Sequence, residues 1–180
     1  MAVVGTRGVA THGRALAIIV ALVASLQFSQ AVGADWLIEG RVVRVSDGDT
    51  VTVLDDEKKQ HKIRFAGIDA PEKRQPFGNA SKQNLSRLIF DRRVEARCHK
   101  RDRYGREVCA VLIDARDIGL EQVRAGMAWH YKRFESEQTP QARVEFADAE
   151  GRARTARRGL WADKNPTPPW EWRDKSRARR

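Results

Sequence analysis

Strand-like patterns come first along the chain and helical ones follow. Trp36 to Val45 is rich in Val and Ile and reads as a strand. Ser46-Asp47-Gly48-Asp49 is a turn signal. Thr50 to Leu54 alternates, with Val51 and Val53 on one face and Thr50 and Thr52 on the other. A polar turn, Asp55 to Lys59, leads to a third strand from His61 to Ala66. There Ile63 and Phe65 point one way, so Arg64 points the other. Val94 to Cys98 and Val108 to Ile113 are two further strands, separated by a basic turn.

Helical spacing begins after a proline-containing loop from Gly67 to Gly78. Asn79 to Phe90 carries Leu85, Leu88 and Ile89 on one stripe. Asp117 to Trp129 places Leu120, Val123 and Met127 at spacings of three and four. Pro140 to Arg158 repeats Ala142, Phe146, Ala149, Ala153 and Ala156 along one face, with Gly159 as its expected C-cap. Prolines exclude regular helix from Asn165 to Arg173, although Trp170 and Trp172 are suited to pack back on the domain. Lys175 to Arg180 is expected to be a disordered basic end. The pattern predicts an α+β fold, a five-stranded barrel of the OB type with three helices.

The amino-terminal residues change the domain picture. Arg7 and Arg14 precede an apolar run from Ala15 to Phe28, and no acid appears before Asp35. Small residues end the segment, Ser-Gln-Ala-Val-Gly-Ala at 29–34. This reads as a signal peptide over residues 1–34, cleaved after Ala34 or, as second choice, after Ala31. At about fourteen residues the run is short of the ~20 that span a bilayer, and a retained anchor is the competing reading. The folded domain is expected over 35–162 and a Pro/Trp-rich basic tail over 163–180. The exported protein is expected to be a monomer, periplasmic or extracellular, without stable membrane association.

Charge narrows the partners. The chain carries a net +10, and the signal takes two arginines and no acids with it, leaving +8 on the remainder. Such a cation suits a polyanion: nucleic acid, acidic polysaccharide or an anionic surface. The two cysteines, Cys98 and Cys109, flank the basic turn. Export permits a disulfide between them; two free buried thiols are the alternative.

Candidate chemistry rests on acids and arginines. Asp47 and Asp49 lie in the first turn, and Asp69 follows the third strand. Carboxylate and carbonyl oxygens are what a hard cation such as Ca²⁺ takes, though Asp-Gly also favours turns with no metal at all. Glu72, three residues after Asp69 and stiffened by Pro71, suits a general base beside a metal-bound water. Arg64 and Arg106 offer planar forks for phosphate oxygens. His12 falls in the signal, and His61, His99 and His130 lack zinc spacing. There is no Gly-x-Ser-x-Gly elbow, P-loop or dinucleotide fingerprint.

Three segments together resemble the thermonuclease, or staphylococcal nuclease, family: Val-Ser-Asp-Gly-Asp-Thr-Val at 45–51, Ile-Arg-Phe-Ala-Gly-Ile-Asp-Ala-Pro-Glu at 63–72, and Asp-Arg-Tyr-Gly-Arg at 102–106. Gly119 to Ala128 and Arg157 to Trp161 fit the same family. The resemblance implies an OB barrel with three helices and a Ca²⁺-dependent nuclease of DNA and RNA. It implies Asp49, Asp69 and the Ala70 carbonyl as metal ligands, with Asp47 behind them. It implies Glu72 as general base and Arg64 and Arg106 as the catalytic, phosphate-binding arginines. Tyr104 matches a phosphate-contacting tyrosine, and Arg103 beside it is a further substrate-binding candidate. The rival readings are a non-catalytic nucleic-acid-binding module of the same fold and an envelope protein that binds acidic glycans.

Overall fold

The computed structural model describes residues 1–3, 5 and 35–178 of the 180-residue chain. The apolar stretch of the expected signal and both expected cleavage points lie outside the described residues. Among the described residues no helix is long and apolar enough to cross a membrane.

The elements in chain order are β1 (Trp36–Val45), β2 (Thr50–Leu54), β3 (Gln60–Phe65), β4 (Ile68–Asp69) and α1 (Gly78–Ile89). They continue with β5 (Arg93–Arg101), β6 (Glu107–Ile113), β7 (Arg116–Asp117), α2 (Ile118–Arg124) and β8 (Trp129–His130). A 3₁₀ turn (Lys132–Glu137), α3 (Pro140–Thr155), a second 3₁₀ turn (Gly159–Ala162) and α4 (Pro169–Ala178) complete the chain. The sheet order is β3-β2-β1-β5-β6-β7, and a parallel pairing of β3 with β6 closes five of these strands into a barrel. The fold is the α+β, OB-type barrel that the alternation predicts.

Alternation fills the barrel. Val42, Val51, Val53 and Ile63 are fully buried and meet Ala96, Cys109 and Val111 from the other side. Leu85 and Ile89 of α1, Val123 of α2 and Phe146 of α3 cover the core. Capping explains two of the helix starts. Asp117 accepts from the Leu120 amide at 3.0 Å, and Thr139 accepts from the Ala142 amide at 3.1 Å with Pro140 following at the first helical position. Cys98 and Cys109 face each other across β5 and β6 and are joined as a disulfide.

Three expectations need correction. α2 ends at Arg124 rather than Trp129, although its apolar spacing runs on through Met127. Gly126 takes φ +66, and a Cβ there would lie 2.2 Å from the Arg158 carbonyl. A left-handed glycine stops the helix, and Trp129 and His130 turn into a strand against β4. α3 ends at Thr155, with Arg157 at φ +49, so Ala156 is exposed and Gly159 opens the following 3₁₀ turn instead of capping α3. The buried Glu150 joins the α3 stripe in its place. The tail is a helix from Pro169 onward. Proline is tolerated at a first helical position, where its missing N–H has no partner to lose, so the last proline starts α4 rather than forbidding it. The described part of the basic end, through Ala178, lies within that helix.

Candidate active site

The turn between β1 and β2 is held from below by two helices. Gln122 of α2 is fully buried and donates through Nε2 to the Gly48 carbonyl at 2.8 Å and the Ser81 carbonyl at 3.2 Å. Asn84 of α1 donates to Gln122 Oε1 at 2.6 Å. Gly48 approaches α1 so closely that a Cβ would stand 1.8 Å from Ser81 Oγ. Above this support Asp47 Oδ1 accepts from the Asp49 amide at 3.1 Å, which fixes the direction of Asp49.

Asp49 and Asp69 meet through one guanidinium. Arg64 Nη1 is 2.9 Å from Asp49 Oδ2, and its Nη2 donates to Asp69 Oδ1 at 2.9 Å. Asp49 Oδ2 also accepts from the Ala70 amide at 2.7 Å, and Oδ1 accepts from the Thr50 hydroxyl at 3.0 Å. The side chains of Asp49, Asp69 and Arg64 are 8%, 1% and 13% exposed. Buried charge of this kind needs a partner of opposite sign, which is why an outward-pointing arginine on β3 belongs here. Burial pushes the Asp69 carboxyl up, against the pull of Arg173 and Arg64. Burial and the neighbouring Asp49 push Asp47 up to about 7.

Arg173 of α4 completes the cluster. Its Nη2 donates to Asp69 Oδ2 at 2.8 Å and its Nη1 to Asp69 Oδ1 at 3.2 Å. The same Nη1 donates to Glu72 Oε1 at 2.8 Å. Burial opposes the charge on Arg173, but Asp69 and Glu72 outweigh it and hold the guanidinium more firmly protonated than usual.

The turn between β5 and β6 forms the second wall. Asp102 Oδ1 accepts from the amides of Tyr104 and Arg106 at 2.9 and 3.0 Å, and Oδ2 accepts from Arg106 Nε at 2.7 Å. Burial works against the Asp102 charge, but these N–H donors outweigh it and hold the carboxyl below its ordinary value. Arg106 Nη1 donates to the Thr50 hydroxyl at 3.3 Å, and that hydroxyl donates to Asp49. The Tyr104 ring is exposed, with the Arg103 guanidinium 4.9 Å and that of Arg106 5.6 Å from its centre.

Asp47, Asp49, Arg64, Asp69, Ala70 and Glu72 therefore share one end of the barrel, and Arg106 reaches it through Thr50. Arg103 and Tyr104 stand at the outer tip of the second wall. Sequence reasoning missed three members: Thr50, Asp102 and Arg173. Asp102 was within reach, because an Asp two residues before Tyr104 suits an Asx turn. Arg173 carried one faint signal, a spacing of three from Trp170 that puts both on one helix face.

Asp49 and Asp69 present oxygen donors of the type that hard divalent cations take. Among the described residues no three His, Cys, Asp or Glu side chains are grouped to hold a metal alone. The fit is thus two carboxylates, which do not make a full shell by themselves.

Comparison with known proteins decides the family. A sequence model described as "Staphylococcal nuclease homologue" matches residues 62–163. An uncharacterized endonuclease of Haemophilus influenzae is 44% identical over 133 residues, covering 74% of this chain and 71% of the relative. The chain belongs to the staphylococcal nuclease family. As a member it is a nuclease, a hydrolase by class. A micrococcal nuclease of Shigella flexneri is 36% identical over 172 residues, which span 91% of this chain and 96% of that protein. An uncharacterized endonuclease of Escherichia coli O157:H7 is 41% identical over 137 residues, 76% of this chain and 85% of the relative. In this staphylococcal nuclease homologue the family match begins at Lys62, so it takes in Arg64, Asp69, Glu72 and Arg106 and leaves out Asp49, in the turn between β1 and β2.

Proposed function

We propose that the protein is an exported, Ca²⁺-dependent nuclease that hydrolyses phosphodiester bonds in both DNA and RNA. One observation carries this reading: two buried carboxylates, Asp49 and Asp69, share the guanidinium of Arg64 at 2.9 Å each, with Glu72 and Arg106 at the rim. Asp49, Asp69 and the Ala70 carbonyl would hold the ion, and Asp47 keeps Asp49 aimed. Ca²⁺ bound there would polarise the scissile phosphate and acidify a bound water. Arg64 and Arg106 bind non-bridging phosphate oxygens from two sides and oppose the charge that builds on phosphorus. Glu72 takes the proton of the attacking water. Tyr104 and Arg103 guide the flanking phosphate. The exposed tip of their turn suits a single strand better than a rigid duplex.

The deciding measurement is hydrolysis of single-stranded DNA and of RNA by the purified protein, with Ca²⁺ and with EDTA. Cleavage of both substrates that stops in EDTA is expected. Cleavage that ignores EDTA would overturn the metal assignment, and salt-sensitive binding without cleavage would favour a non-catalytic module.

A further inference from the structure

Asp69 has both oxygens engaged by arginines. Arg64 reaches Oδ1 at 2.9 Å, while Arg173 closes a fork on it, at 3.2 Å to Oδ1 and 2.8 Å to Oδ2. Arg173 also carries the side-chain hydrogen bond that Glu72 accepts, at 2.8 Å. The segment that delivers Arg173 is seated at several points. Gln75 Nε2 donates to the Thr167 carbonyl at 2.6 Å. The Trp170 ring stacks on Tyr131 with centres 5.5 Å apart and planes 13° from parallel, and meets Trp129 edge-on at 5.7 Å. Trp170 and Arg173, three apart on α4, share a face, so the seated indole aims the guanidinium.

A divalent cation bound by Asp69 needs an oxygen that Arg173 now holds. The ion and the guanidinium also repel each other across a site where little water screens them. We propose that Arg173 is a resident counter-cation that stands in for the divalent ion on Asp69 and Glu72, weakens metal binding, and gives way when the ion enters. This rests on the reading of Asp49 and Asp69 as the metal ligands. The arrangement gives the buried Asp69 carboxylate, already paired with Arg64 through Oδ1, a partner for Oδ2 as well while metal is absent. It also ties Glu72 to the ion: the fork that blocks Asp69 is the one that occupies Glu72, so the general base is freed when the ion arrives. Linkage is reciprocal, so Ca²⁺ must loosen α4 by as much as α4 weakens Ca²⁺.

The test is calorimetric titration of the purified protein with CaCl₂ alone. It compares wild type with Arg173→Gln, Arg173→Lys, Lys175→Gln and Asp69→Asn. Arg173→Gln is expected to bind Ca²⁺ at least about fivefold tighter, the low end of ordinary coupling between sites. Arg173→Lys keeps the charge but loses the fork, and is expected to bind more tightly than wild type by a smaller factor. Lys175→Gln removes a charge from the same helix that pairs with Glu171, and is expected to change affinity far less. Amide exchange in α4 of the wild type should speed up with Ca²⁺. Affinity in Arg173→Gln equal to or below wild type would overturn the proposal, and so would a Lys175→Gln effect of the same size. If Arg173→Gln does not fold, unchanged affinity in Arg173→Lys overturns it instead. Failure of the underlying reading looks different: Asp69→Asn then binds as well as wild type, or no form binds at all, and both ideas fall together.

Discussion

Arg64 and Arg106 carry the same head group and meet at Asp49, Arg64 directly and Arg106 through Thr50, but their surroundings are made differently. Arg64 is 13% exposed on a barrel strand, between carboxylates supplied by the β1–β2 turn and by β4. Its place exists only because distant parts of the chain have met. Arg106 lies in a tight turn whose organiser, Asp102, is four residues away. The disulfide between Cys98 and Cys109 ties the base of that turn, so most of its order is local. The contrast teaches that two arginines proposed for the same task need not share a stability cost. The first wall is part of what holds the barrel together, whereas the second is an attachment to it.

The sharpest way to break this comparison is Arg64→Gln. It leaves two buried carboxylates short of a partner, so stability in urea should fall by about 3 kcal/mol or more. Hydrolysis should fall by ~10²–10³. Arg106→Gln should lower hydrolysis by a similar ~10² or more, while stability moves by less than about 1 kcal/mol. Equal loss of stability in the two variants would erase the distinction. Thr50→Val probes the joint between the walls. Combined with Arg106→Gln, it should depart from additivity in activity by about 1 kcal/mol, because each change removes one end of the same hydrogen bond. Full additivity would mean that the walls act independently.

The smallest expected effect is in acid. The Asp102 carboxyl is held below its ordinary value. Its ionised form therefore stabilises the fold above about pH 4, and that contribution fades as pH falls through the lower folded value. The stability gap between wild type and Asp102→Asn should thus be wider at about pH 6 than at about pH 3. A gap that stays constant with pH would detach Asp102 from the turn's stability.

Legibility in the sequence followed the same division. The alternation of Ile63, Arg64 and Phe65 was enough to set one arginine apart, since strand geometry turns neighbours to opposite faces. The turn residues Asp47 to Asp49 were readable as a turn but not as a site, because Gly48 is held by Gln122 and packs against Ser81, both far off in sequence. Family spacing linked them to Asp69. α2 looked longer than it is, because apolar spacing continues past the glycine that ends it. Arg173 was barely legible for a related reason. Prolines argued against a helix, and only the aromatic seat on Tyr131 and Trp129 shows where that helix points.

The parallel pairing of β3 with β6 sets Arg64 beside Val108 and so brings the two walls together. This contact joins segments more than forty residues apart, with α1 and β5 between them. Pairings of such long range form late, after the entropy of a large loop has been given up. A chain still being made, or otherwise unfolded, thus has its acids and arginines but not their shared site. Hydrolysis is then a property of the closed barrel as a whole. The gain or loss of activity during refolding should track barrel closure rather than the appearance of helix or hairpin.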